Sequence, residues 1–283
     1  MSIVGALIAA ELPDAQHWAR LIEADVAAHA DQADQREAEL LAAARRGVAP
    51  LAYTLGHQRF MGIDVITEPG VIVPRPVTER VGRAAAKLLA AMPDQGDGLR
   101  VIDMCSGSGN LACALAHADP RVQVWSCDLM ETASALARRN VERLGLQGRV
   151  AVRTGDLFGS VAGDSLEGRV DLVVCAPPFI STTRLASDRA GLLEHEPREA
   201  FDAGPYGLTF HQRTSREAVA FLRAGGAIVF EAGEGQARQV ELVLKRSGYH
   251  GMETVDDGQQ PLVVVQAHRP QGRCQDQAER DPE

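Results

Sequence analysis

Up to about residue 47 the apolar residues recur at helical spacing. Trp18, Leu21, Ile22 and Val26 share one face, and a second stripe runs through "QREAELLAAARR" to Gly47, a glycine suited to ending a helix. The spacing predicts a small N-terminal helical domain over residues 1–50. The pattern then changes. "LAYTLGHQRFMGIDVITEPGVIVPRP" mixes aromatic and β-branched residues, broken by Gly56, Gly62 and Gly70, and predicts a β-hairpin linker over residues 51–76. A helix is expected over about 78–91.

From Arg100 onward, apolar runs of strand length alternate with helical patterns. "RVIDMC", "VQVWSCD", "RVAVRTGD", "VDLVVCA" and "GAIVFEAG" read as strands. "NLACALAHA", "TASALARRNVERLG" and stretches near 209–223 and 235–247 read as helices, and "HGMETVD" and "PLVVVQA" as two closing strands. This alternation implies an α/β fold: a mostly parallel, seven-stranded, Rossmann-like sheet covered on both faces, here placed at residues 77–268. The polar tail, residues 269–283, is expected to be disordered.

The chain has 283 residues, enough for such a domain with a small appendage. A net charge of −9 argues against a broad electrostatic grip on nucleic acid. The five cysteines, Cys105, Cys113, Cys127, Cys175 and Cys274, form no C-x-x-C pair and no zinc-ligand spacing. They are read as reduced thiols of a cytoplasmic protein, with no metal expected. No apolar run is long enough to span a membrane, and the first residues lack the basic start of a signal peptide.

In open parallel sheets, ligands bind beyond the carboxyl ends of the strands. The first of these strands ends in "DMCSGSGN", where Gly107 and Gly109 allow a tight turn into a helix. The second ends in Asp128, about 20 residues past Gly107, a spacing suited to accepting hydrogen bonds from a ribose diol. The third ends in Asp156, followed by Leu157 and Phe158, which suit the exocyclic amine and the faces of an adenine. A third fingerprint glycine and a P-loop lysine are both missing, so the pattern favours a nucleoside without phosphates over a dinucleotide. Singly, each acid is equally well read as a helix cap; three at successive strand ends favour a ligand.

Taken together, "GVAPLAYTLG", "RFMGIDV", "PGVIVPRPVTE", "VIDMCSGSGNLA", "GDLF", "EPREAFDAGPYGL" and "FEAGEGQ" resemble the HemK-type protein-glutamine N5-methyltransferases over roughly residues 47–267. The resemblance implies a class I methyltransferase fold and S-adenosylmethionine as methyl donor. It implies cofactor contacts from Asp103, Cys105, Gly107, Gly109, Asp128, Asp156, Leu157 and Ala176. It also implies an acceptor site formed by Ala176, Pro177, Pro178 and Phe179.

That last stretch departs from the family. Its signature after the fourth strand is N-P-P-Y, where the Asn carboxamide accepts a hydrogen bond from the acceptor's amide NH₂; this chain has A-P-P-F. Val77 replaces a usual acid, and "DDGQQPLVV" lacks an Asp-Arg pair often present near the last strands. An amide nitrogen is a weak nucleophile that needs this orientation. The sequence reading is therefore an N- or O-methyltransferase of a small molecule more nucleophilic than an amide. Methylation of a glutamine in a release factor or ribosomal protein is the alternative, and a silent S-adenosylmethionine-binding protein a third. His195 and Glu196, in "LLEHEPREAFDAGPYGLTFHQR", are the candidate acid–base groups.

Overall fold

The computed structural model describes residues 2–12, 15–93, 96–255 and 262–269. Four helices open the chain: α1 (Ile3–Ala9), α2 (Ala15–Ala28), α3 (Ala33–Ala44) and α4 (Val48–Leu55). Leu7, Trp18, Ile22, Leu40 and Leu51 are buried among them; of the predicted stripe, Trp18 and Ile22 are buried and Leu21 and Val26 half-buried. The expected linker is shorter than its residue types suggest. "LAYTL" lies in α4, which ends at Gly56 in the left-handed conformation. Leu51, Ala52 and Leu55 put one helical face into the first core, and that packing outweighs the strand preference of Tyr53 and Thr54.

The hairpin follows directly. β1 (His57–Phe60) pairs with β2 (Ile63–Ile66) antiparallel, with Phe60 opposite Ile63. Met61 and Gly62, both at positive φ, form its two-residue turn. Phe60, Ile63 and Val65 are buried against the sheet domain, so the hairpin is part of its core.

The remaining elements alternate as read. After α5 (Glu79–Ala91) come β3 (Leu99–Met104), α6 (Asn110–Ala118), β4 (Val122–Asp128), α7 (Glu131–Arg143), β5 (Val150–Thr154) and β6 (Val170–Cys175). Then follow α8 (Thr182–Ala186), α9 (Thr209–Phe221), β7 (Leu222–Gly233), α10 (Ala237–Arg246), β8 (His250–Val255) and β9 (Leu262–His268). The seven-stranded order is β5-β4-β3-β6-β7-β9-β8. β3 to β7 are parallel, and β9 is antiparallel to both its neighbours. The order reverses between β3 and β6, which opens a crevice at their carboxyl ends.

Side chains alternate between two cores. Val101, Leu172, Val174 and Val229 face one, and Ile102, Val173, Ile228 and Phe230 the other. Each such side chain, fully buried, contributes about 1.5–3 kcal/mol. Among the described residues no helix is long and apolar enough to cross a membrane, and Cys105, Cys113, Cys127 and Cys175 are free thiols. Cys274, the expected disordered tail from residue 270 and most of "DDGQQPLVV" lie outside the described residues.

Candidate active site

Two adjoining cavities, of about 410 and 100 Å³, open at the carboxyl ends of the parallel strands. Ile72, Cys105, Gly107, Ala176 and Ala200 line both, so they are two lobes of one crevice.

The glycine turn after β3 forms the shared floor. Cys105, Gly107 and Gly109 all have positive φ. A Cβ on Gly109 would lie 3.0 Å from that of Ala137, so the glycine permits the close approach of α6 to α7. Asp128 fastens this turn to the start of α7: Oδ2 accepts from the Gly107 N–H at 2.8 Å and Oδ1 from the Met130 N–H at 2.9 Å. Burial raises its pKa, and those backbone donors oppose the rise. Asp128, Leu129, Met130, Pro178 and Phe210 line the smaller lobe.

The tip of β6 divides the lobes. Ala176 faces both, Pro177 and Phe179 the larger, and Pro178 the smaller. Gln236 fixes this tip. Its Nε2 donates to the Phe179 carbonyl at 2.9 Å, while its Oε1 accepts from the Gly233 N–H at 2.9 Å.

Residues 70–75 form a strap along the crevice wall. The Tyr53 hydroxyl donates to the Val71 carbonyl at 2.9 Å, and Glu196 Oε1 accepts from the Val73 N–H at 2.8 Å. The other oxygen of Glu196 forms an ion pair with Arg75. The strap is thus tied to the N-terminal helices and to the loop after α8. Desolvation, with the nearby Glu196 carboxylate, pushes the Tyr53 phenol up to about 12, Arg75 opposing.

Residues 62–195 match the methyltransferase small domain family. The chain is 38% identical over 217 residues to the release factor glutamine methyltransferase of Geobacter sulfurreducens, covering 77% of this chain and 72% of that protein. The chain belongs to the HemK-type methyltransferase family. Several further relatives carry the same glutamine methyltransferase name. Another, 34% identical over 70% of this chain and 66% of its own length, is the 4-amino-L-phenylalanine/4-methylamino-L-phenylalanine methyltransferase of Streptomyces pristinaespiralis. The crystal structure of a Pyrococcus furiosus methyltransferase shares the fold, with a TM-score of 0.51 at 16% identity over 74% of this chain and 90% of that one. This HemK-type enzyme is a S-adenosylmethionine-dependent methyltransferase.

Several residues expected at the site serve other purposes in this HemK-type fold. Asp156 is held by both terminal nitrogens of Arg213, each at 2.9 Å, and its exposed carboxylate lines neither lobe. Leu157 is buried in the core beneath the sheet. His195 is exposed and contributes its carbonyl, at 3.5 Å from the Tyr53 hydroxyl. Glu196 spends both oxygens on the strap and lines neither lobe, so it is placed as a tie rather than an acid–base group.

Asp103 is fully buried behind the glycine turn, where Oδ2 accepts from the Ala112 N–H at 3.0 Å. Desolvation raises its pKa to about 8, that bond opposing and Asp128 adding. The folded state therefore keeps a proton that the unfolded chain releases near pH 4, and stability falls as pH rises from about 4 to about 8. Asp103→Asn should reduce this slope in urea melts at pH 5 and pH 8; an unchanged slope would assign it to other groups.

Sequence reading also passed over residues that do line the crevice: Ile72, Thr78, Phe210 and Glu231. Only Glu231 left a signal, as the lone acid inside the apolar run "AIVFEAG".

Proposed function

We propose that this enzyme N-methylates a small amine rather than a glutamine side chain. The observation that carries the reading is Ala176. It stands at the junction of both lobes with no side-chain acceptor to orient an amide NH₂. An acceptor here must bring its own nucleophilicity, as an amine does. The relative that methylates an amino-phenylalanine supports this choice.

The residues fit the methyl donor. Asp128 offers a carboxylate to a ribose diol, and Leu129, Met130 and Phe210 offer apolar faces to a base. Among the described residues no lysine or arginine lines that smaller lobe, which suits a nucleoside without phosphates. Bound there, S-adenosylmethionine supplies a methyl group activated by a sulfonium. The chain's part is then to position the acceptor and exclude water. The rigid Pro177-Pro178 pair and the Gln236 bond to Phe179 fix the wall against which the acceptor lies.

The test is methylation of a panel of small amines against a release factor, with labelled donor. Small amines should be labelled, and Ala176→Asn should lower that rate roughly tenfold or more by crowding the junction. Labelling of the release factor alone, raised by Ala176→Asn, would establish glutamine methylation instead. That outcome is the second reading, favoured by the names of most of the relatives.

A further inference from the structure

The parallel register of β6 and β7 pairs Cys175 with Phe230, so the next residues, Ala176 and Glu231, stand side by side at the strand ends. Both line the larger lobe. Glu231 is only 5% exposed, and its Oε2 has no hydrogen-bond partner. A buried carboxyl oxygen left unpaired costs folding free energy, which a ligand facing it would recover.

Apolar side chains, Leu111, Phe179 and Leu192 among them, line the same lobe. Besides Glu231, the charged lining is Arg75, Arg184, Arg189 and Glu234. Arg184 and Arg189, in and just after α8, are exposed, and no partner for either guanidinium is present among the described residues. The larger lobe thus combines a buried acid, apolar side chains and two exposed, unpaired cations. We infer that it takes a primary amine that ends in a carboxylate, with Glu231 accepting the proton released by the acceptor nitrogen and Arg184 and Arg189 receiving the carboxylate. This inference rests on the amine reading above.

The amine lone pair would form the new N–C bond as the C–S bond of the donor breaks, releasing S-adenosylhomocysteine; the N–H bond of the resulting ammonium then breaks and its electron pair stays on nitrogen. The proton passes to Oε2, and the carboxylate becomes a neutral carboxylic acid. Burial raises the pKa of Glu231 to about 7, while the Thr78 hydroxyl and Arg80 oppose. A group titrating there can take and return a proton near neutral pH. The other charged groups around it do not compete. His211 donates from Nε2 to the Glu231 carbonyl at 2.8 Å and, with its pKa lowered to about 4 by burial, is neutral. Arg75 on the lobe wall is paired with Glu196, and Glu234 lies beyond the end of β7.

The experiment uses the full chain and a panel of primary amines, each supplied as the carboxylate and as the carboxamide, 4-aminophenylalanine included. Two readouts are taken: methylation rate against pH, and calorimetric binding of each amine with S-adenosylhomocysteine present. Wild type should bind carboxylates at least tenfold tighter than carboxamides. The Arg184→Ala/Arg189→Ala variant should lose that preference. The methylation rate should rise through about pH 7 in wild type. Glu231→Gln should lose that limb and fall about a hundredfold at pH 8, with its S-adenosylhomocysteine affinity unchanged as a check on folding. Amines methylated without carboxylate preference, or a pH limb retained by Glu231→Gln, would overturn this inference and leave the amine reading standing. No methylation of any amine, with labelling of a release factor, would overturn both.

Discussion

Glu196→Ala is expected to destabilise the protein by about 3 kcal/mol, the lower end of the cost of breaking a buried ion pair, because Arg75 keeps a quarter of its surface in water. The substitution strips the Val73 N–H of its acceptor and leaves a guanidinium facing no carboxylate, with its other terminal nitrogen already buried and unpaired. Glu196→Gln should lose about half as much, since an amide oxygen can still accept from Val73. Urea unfolding of the three proteins measures this. A loss below about 1 kcal/mol in the alanine variant would mean that Arg75 turns to solvent and the strap holds without it.

Asp128→Ala is expected to weaken S-adenosylmethionine binding by roughly a hundredfold, about 3 kcal/mol for hydrogen bonds to a charged acceptor. Two effects add. The ribose diol loses its acceptor, and the glycine turn loses the bond from Gly107 that holds it against β4. Asp156→Ala is the contrast. Its carboxylate is engaged by Arg213 on the surface, so affinity should change less than about threefold. Calorimetric titration of both variants checks the pair, and equal losses would show that the two acids share the cofactor after all.

Much of this was legible in the chain because it is local. Alternating apolar runs and helical stripes specify strands and helices through side-chain periodicity, and they gave a seven-stranded α/β sheet. Gly107, Gly109 and Asp128 were legible because a tight turn and its cap need those residue types within one βαβ unit. The Ala176 departure was legible because it replaces a residue type in a fixed motif. The helix of "LAYTL" was missed because its residue types favour strands while its packing favours a helix.

What the sequence by itself determined, then, is the order of elements, the glycine turn and the missing amide acceptor. The tertiary structure alone decided which acids face the crevice. Glu196 is 121 residues from Arg75 in the chain, and Asp156 is 57 from Arg213, yet each carboxylate is taken up by that arginine. Glu231 reaches the site because strand register sets it level with Ala176. A carboxylate's role depends on which donor or cavity lies within about 3 Å, and that distance is set by packing between segments far apart in sequence.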